Sequence, residues 1–467
     1  MTRTPDRFPG VLAATAMGVY LLLVVGAATS LTDAAASCTA WPACGSGWEL
    51  PATTDGWIAF GHRIVAFLVG IAVVATAVFA WRSETSRRVK AVITIATVLY
   101  PIQAGVGAAV ATGSVPAYLS GVHLIVGITI FGTLLAGLAW WLEAETGDPN
   151  DRPENETLEP SEALPSPEEH TPHIPTDPIP RAKATINAYF RLMKPRLMWL
   201  LCLVAAAAMA LAGGPGLTTY TVAATLIAGS LSIGASGTFN HVLERDIDRR
   251  MARTNDRPLA TDLVPVRNAV AFGLFLTVIS VGLFATINWL AAILGLTAII
   301  FYSIVYTLIL KPNTVQNTVI GGAAGALPAL IGWAAVTGEI GLGGILLATL
   351  IFLWTPAHFY NLALAYKDDY ERGGFPMMPV VRGETTTRRH IIWYLGATLI
   401  AAAVLAASST LGWIYVVSGV IFGGIFLWMV VRLHYEQTES AAFRAFHASN
   451  AYLGVVLLAI VFEGLAF

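Results

Sequence analysis

Apolar runs of about twenty residues, the length a helix needs to cross a bilayer, recur from one end of the chain to the other. Four come first, over 11–31, 57–81, 91–112 and 119–142. A polar stretch then separates them from nine more, over 197–213, 219–241, 266–286, 288–310, 315–336, 342–364, 391–410, 412–432 and 447–466. The connections at 287 and 411 are the shortest. A spanning segment must satisfy its own backbone hydrogen bonds in lipid, and a helix does so without partners. The pattern therefore predicts an all-α polytopic membrane protein, a four-helix module followed by a nine-helix bundle. A signal peptide has a shorter apolar core of about 7–15 residues, so the run at 11–31 reads as a retained first helix.

Composition sharpens this. Of 467 residues, 56% are hydrophobic and 12% charged, about half the charged fraction of a soluble domain; mean hydropathy is +0.67. A soluble enzyme, a disordered protein and a nucleic-acid binder are excluded. The net charge of −2 averages unlike regions. Residues 143–180 hold eleven acids, one base (Arg152) and nine prolines, a composition that cannot bury enough apolar surface to fold. The chain divides accordingly into a membrane module at 1–142, an acidic Pro-rich linker at 143–185 and a second membrane domain at 186–467. Bases mark cytoplasmic loops: Arg3 and Arg7, then Arg82, Arg87, Arg88 and Lys90, and in the second half the loops 242–265, 311–314, 365–390 and 432–446. The N-terminus and both Asp-rich loops are expected in the cytoplasm of a multi-pass cell-membrane protein. Three cysteines build no disulfide framework. Cys202 lies in an apolar run, while Cys38 and Cys44 flank a polar loop and could pair.

Two charged loops concentrate acids beside membrane helices. In the first, Asn240, Glu244 and Asp248 are spaced i, i+4, i+8 and share one face of a continuing helix, with Asp246 pointing elsewhere unless the helix has ended. Three oxygen side chains converging at a membrane surface suit Mg²⁺, which also takes oxygens from substrate phosphates. Arg253 and Arg257 follow closely and match phosphate oxygens bidentately. The second loop places Lys367 beside Asp368 and Asp369. Together they point to a Mg²⁺–diphosphate held at the interface, its lipid tail between helices.

At these residues the sequence resembles a known family. The pattern NxxxExDxDxxMxRTxxRP from Asn240 to Pro258, an upstream Lys194-Pro195-Arg196, and the run containing Tyr306, Lys311, Asn317, Gly321 and Gly322 look like UbiA-type prenyltransferases. Pro328, Gly332 and Trp333, with Trp354, Pro356, His358 and Phe359 ahead of the Lys-Asp-Asp-Tyr motif, match the protohaem IX farnesyltransferase (haem O synthase) subfamily. The resemblance covers about 188–467. It implies nine helices around a lipid-facing cavity, Mg²⁺-assisted loss of diphosphate from farnesyl diphosphate, and alkylation of the 2-vinyl group of haem B by the allylic cation, with water completing the hydroxyethylfarnesyl chain. Metal and cations stabilise such a leaving group. By matching position, Asn240, Glu244 and Asp248 form the first Mg²⁺ set, with Asp246 auxiliary; Asp368 and Asp369 form the second. Lys194, Arg253, Arg257, Lys311 and Lys367 hold diphosphate. Many superfamily members carry a further Asp four residues before Asp369; here that position is Ala365. His358 is a candidate for haem iron or a propionate, or for a structural hydrogen bond. Tyr302 and Tyr306 either line the cavity or sit in an interfacial belt, and Asn317 is a further cavity candidate.

In the first half, His62 and His123 enter their spans at similar depth, an arrangement in which two imidazoles can ligate one haem iron or serve as hydrogen-bonded structural histidines near an interface. Gly61-His62-Arg63, Gly121, His123 and the loop holding Cys38, Trp41, Pro42 and Cys44 resemble one half of haem A synthase, over about 10–142. That family carries a Glu one turn before the first His; Ala59 stands there. The resemblance leaves three readings of this module, one that oxidises haem, one that only binds or passes it on, and one that is degenerate, and it implies a homodimer able to complete its site. Two other readings stand beside the leading one: a UbiA-type enzyme with another aromatic or lipid acceptor, and a haem-handling or transport protein without prenyl transfer. Transporters show internal repeats and helices broken at mid-membrane, whereas these acids gather at one interface.

Overall fold

A computed structural model describes residues 8–31, 37–38, 40–44, 50–113, 116, 118–148, 151 and 177–466. Most of the linker, along with Arg3 and Arg7, lies outside the described residues. The elements run α1 (Phe8–Leu31), α2 (Thr54–Arg82), α3 (Arg87–Ala111), α4 (Tyr118–Thr146), α5 (Pro178–Leu192), α6 (Pro195–Ala212), α7 (Thr219–Leu243), α8 (Arg245–Asp248), α9 (Val266–Ala285) and α10 (Trp289–Ile300). A π-helix over Phe301–Leu310 continues α10, and α11 (Lys311–Asn313), α12 (Asn317–Thr337), α13 (Leu342–Ala365), α14 (Lys367–Arg372), α15 (Met378–Val381), α16 (Glu384–Ala407), α17 (Trp413–Glu436) and α18 (Glu439–Ala466) complete the chain. Among the described residues, thirteen helices are long and apolar enough to cross a membrane, the four and nine that the apolar runs predicted.

The tight connection near 287 is built by Asn288. Its side-chain oxygen accepts the Ala291 backbone N–H at 2.8 Å, capping α10, while its amide donates to the Ala334 carbonyl at 2.8 Å and pins the turn to α12. α5 is a helix the sequence reading did not predict. Its turn-spaced Ala188 and Leu192 are buried while Ile179 and Ile186 face outward, so it is amphipathic rather than apolar throughout.

Packing divides the chain into two compact units. One comprises Met1–Asp148 with Arg388–Ala459. Within it α1 packs on α2, α4 and α17. The Thr15 and Thr76 hydroxyls meet at 2.9 Å between α1 and α2, and each also bonds a carbonyl of its own helix. Arg389 at the start of α16 pairs with Glu143 at the end of α4, and Gln437 donates to the Thr146 carbonyl at 2.7 Å. The four N-terminal helices and most of the last three thus form one packed body.

The second unit, Pro149–Thr387 with Ile460–Phe467, contains every candidate prenyl-transfer residue. α12 crosses α6 so closely at Gly332 that an added Cβ would lie 2.3 Å from the Ala205 carbonyl oxygen. Backbone cannot yield as a side-chain tip can. Gly332→Ala should therefore separate the helices and destabilise the protein by roughly 1–3 kcal/mol, read as a lower midpoint of thermal unfolding in detergent. An unchanged midpoint would show that the crossing tolerates a methyl group.

Candidate prenyl diphosphate site

The first acidic loop keeps its face although α7 ends. Glu244 leaves helical geometry at φ −96°, ψ 3°, yet its N–H still bonds the Asn240 carbonyl at 2.9 Å and the Asp248 N–H bonds the Glu244 carbonyl at 2.7 Å. The i→i−4 ladder runs through the break, so Asn240, Glu244 and Asp248 stay aligned, at 1%, 3% and 2% exposure.

Each of the three meets a cation. Lys194 donates to Asn240 Oδ1. Lys311 Nζ lies 2.6 Å from Glu244 Oε1. One guanidinium nitrogen of Arg257 lies 2.8 Å from both Asp248 oxygens and 3.8 Å from Glu244 Oε2. Lys194 is held at φ 55°, ψ 56° just before Pro195, a left-handed conformation that costs a non-glycine residue of order 1 kcal/mol and that recurs at functional sites. Gly237 permits it, because a Cβ there would sit 2.9 Å from the Leu192 carbonyl oxygen and 3.2 Å from Lys194 Cγ.

Three partly buried bases against two buried acids leave an excess of positive charge. Burial, reinforced by the Arg257 charge, pushes the Lys194 ammonium down to about 7. Burial alone would raise the Glu244 carboxyl, but Lys311 and Lys194 overcome it and hold the group below its usual value. Burial raises the Asp248 carboxyl against the pull of Arg257.

The second acidic loop is tied to the first through Asp369. Its two oxygens accept the backbone N–H groups of Ala252 at 3.1 Å and Arg253 at 2.9 Å, and Arg372 donates to it at 2.7 Å. The Arg253 guanidinium consequently stacks over Tyr366 at 4.8 Å and Tyr370 at 5.5 Å, and Lys311 lies 4.2 Å from the centre of Phe375.

The structure does not bring every candidate into this cluster. Asp246 and Asp368 are exposed, Asp246 pairing with Arg245 at 3.0 Å. Lys367 pairs with Glu384 at 3.0 Å. Asn317 holds the start of α12, donating to the Thr314 carbonyl at 2.8 Å and accepting from the Thr318 hydroxyl at 2.9 Å. His358 is buried and stacked on Trp354, ring centres 4.3 Å apart.

From the cluster an apolar slot runs into the bundle between α6, α7 and α12, with Lys194 and Tyr302 in its wall beside Leu201, Gly229, Ser236 and Pro328. Its α7 wall extends from Thr225 to Gly237, about 18 Å of helix. Tyr306 meets Tyr302 at a tilt, ring centres 5.5 Å apart, and lies over Gly321. Sequence reasoning passed over Thr307, which accepts a hydrogen bond from Asn240 Nδ2 at 3.0 Å. A threonine inside an apolar run gives no signal until the helix phase is known.

The profile of the UbiA prenyltransferase family matches residues 200–454. The chain belongs to the UbiA prenyltransferase family. Among UbiA relatives, a protein from Haloquadratum walsbyi named protoheme IX farnesyltransferase is 63% identical over 98% of this chain and 96% of its own length. One of the same name from Haloarcula marismortui is 63% identical over 98% of each. A protoheme IX farnesyltransferase 1 from Saccharopolyspora erythraea is 41% identical over 62% of this chain and 93% of its own. The solved structure of digeranylgeranylglyceryl phosphate synthase in membranes covers 61% of this chain and all of its own at a TM-score of 0.51 and 15% identity, a likeness of fold. Residues 51–163 match a second profile, the cytochrome oxidase assembly protein family.

Proposed function

We propose that the protein transfers a farnesyl group from farnesyl diphosphate to the 2-vinyl group of haem B, giving haem O and diphosphate. The observation that carries this reading is the double placement of Lys194, which lines the apolar slot and also touches Asn240 in the polar cluster. A ligand with an anionic head and an apolar tail fits that junction. The names of full-length relatives at 63% identity support a prenyl donor and a haem acceptor.

The cluster fits Mg²⁺ by its donor set. One amide oxygen and two carboxylates converge, and each is balanced by a base that diphosphate oxygens would recruit. Asn240, Glu244 and Asp248 would hold the ion, which when bound would neutralise charge on the departing diphosphate. Lys194, Arg257 and Lys311 bind and orient the diphosphate, joined by Arg253 if it leaves its tyrosines. The slot excludes water from the allylic carbon. Asp369, with both oxygens already engaged, acts as the anchor that fixes the Arg253 loop. Asp246, Asp368 and Lys367 lie outside this set, and Tyr302 serves as cavity wall. The test is full-length protein in lipid nanodiscs with haem B, farnesyl diphosphate and Mg²⁺, with the porphyrin product identified by mass. Haem O is expected. Prenylation of a quinone precursor with haem untouched would overturn the acceptor assignment.

For the segment 1–142 we propose haem binding through His62 and His123. The Nδ1 atoms of both are buried without a hydrogen-bond partner among the described residues. Each ring rests where a glycine leaves room: a Cβ on Gly26 would lie 3.4 Å from His62, and one on Gly107 2.8 Å from His123. Arg63 fixes the neighbouring disulfide loop of Cys38 and Cys44 by donating to the carbonyls of Cys38, Ala40 and Ala43 at 3.1, 2.6 and 2.6 Å. Ala59 packs against that disulfide in an apolar cluster, where the family this segment resembles carries a carboxylate. In the purified full chain, the double substitution His62→Ala, His123→Ala should abolish the low-spin bis-histidine haem band, which haem bound as substrate at the second site does not give. A band that survives would refute the assignment. In this reading the N-terminus and both acidic loops lie in the cytoplasm, the acidic segment connects α4 to α5, and the uncovered apolar faces of α2 and α3 meet lipid or a second copy.

A further inference from the structure

Asn240 offers two chemically opposite atoms, and its use depends on which one faces the cations. Lys194 has donors only, so the atom it contacts is Oδ1. The other end is fixed from behind. The Thr307 hydroxyl has one proton, which it donates to the Tyr302 carbonyl at 2.8 Å. That leaves Thr307 Oγ1 able only to accept from Asn240, and the atom it meets is Nδ2, at 3.0 Å. Both residues are buried, Asn240 at 1% and Thr307 at 4% exposure, so no solvent competes for either bond.

The local backbone explains why Thr307 has this reach. In an α-helix a threonine hydroxyl bonds the carbonyl three or four residues earlier. Thr307 bonds one five residues earlier, because Phe301–Leu310 is wound as a π-helix, in which the Lys311 N–H also bonds the Tyr306 carbonyl. π segments are uncommon and gather at functional sites. This one turns the Thr307 hydroxyl toward α7 and ends at Lys311, the partner of Glu244.

We propose that Thr307 is a positioning residue for the prenyl diphosphate site: through the π-helix it locks the Asn240 amide so that Oδ1, and not Nδ2, is presented to the cation bound there. The proposal rests on the metal-binding role assigned above. It concerns a residue that touches neither diphosphate nor metal and acts through Asn240.

Removal of such a supporting hydrogen bond typically weakens metal affinity 10–100-fold. The experiment measures Mn²⁺ binding by electron paramagnetic resonance on the purified full chain in nanodiscs, with inorganic diphosphate present, apart from turnover. Thr307→Val keeps the shape and removes the hydroxyl; its Mn²⁺ Kd should rise about 10–100-fold. Thr307→Ser should restore affinity to within about threefold, which a packing role for the methyl group would not allow. In an Asn240→Asp background both side-chain atoms are acceptors, so Thr307→Val should then cost less than about twofold, a non-additivity that marks coupled residues. Wild-type Mn²⁺ affinity in Thr307→Val, or a Thr307→Ser as weak as Thr307→Val, overturns the proposal alone. A wild-type protein that binds no Mn²⁺ with diphosphate overturns the metal reading and this proposal together.

Discussion

Asp248→Ala should lower kcat/KM for prenyl transfer by about three orders of magnitude, the scale associated with losing a preorganised electrostatic contact to the reacting charge. Two effects combine. Loss of the carboxylate leaves the proposed ion without one of three donors, and Arg257, 2.8 Å from both of its oxygens, keeps only Glu244, at 3.8 Å, to balance its charge. Breaking a buried ion pair costs about 3–5 kcal/mol, so part of any loss would reflect stability. Asp248→Asn separates the two, since it keeps the shape and an acceptor for Arg257 but removes the charge. Equal losses in Asn and Ala, with the Asn protein folded by its thermal transition, would place the effect on the charge. Activity within tenfold of wild type in either would remove Asp248 from the site. Asp246, exposed and paired with Arg245, provides the contrast: its alanine variant should cost a few-fold at most.

Asp369→Ala is expected to lower kcat/KM about a hundredfold by a different route. The carboxylate receives the backbone N–H groups of Ala252 and Arg253 and the Arg372 guanidinium, so its loss frees the strand of chain that carries Arg253 and precedes Arg257. A displacement of about 1 Å in a group that orients substrate is enough for that factor. Hydrogen–deuterium exchange of residues 249–258 should accelerate in parallel, a result that loss of a metal ligand alone would not produce. Unchanged exchange with lost activity would return Asp369 to the metal. Asp368, exposed beside it, should be far less sensitive.

These two carboxylates show how far sequence reading reached. Asn240, Glu244 and Asp248 were legible because helical spacing is a local property, and the i→i−4 bonds persist through the end of α7. Asp369 was legible as an acid in a charged loop, but its engagement with backbone 117 residues away was not, because nothing in a loop's composition states which distant amides it will meet. Lys367 and Asn317 looked equally suited to the site. Their side chains are taken by Glu384 and by the turn before α12, partners whose proximity depends on how the intervening chain folds back. The amphipathic α5 escaped because its few buried positions are diluted by the polar stretch before it.

By itself the sequence determined the thirteen membrane-length helices, since bilayer thickness converts directly into a count of apolar residues. It also determined the acidic motifs at their ends and the kinship those motifs carry. Tertiary structure alone decided which cation faces which oxygen, that most of the last three helices pack with the first four, and that Lys194 stands where the polar cluster opens onto the apolar slot. The physical reason is range. Hydropathy and helical periodicity act within a few turns of chain, whereas charge pairing and close helix crossing are settled between residues far apart in sequence, once burial has removed the water that would otherwise satisfy them.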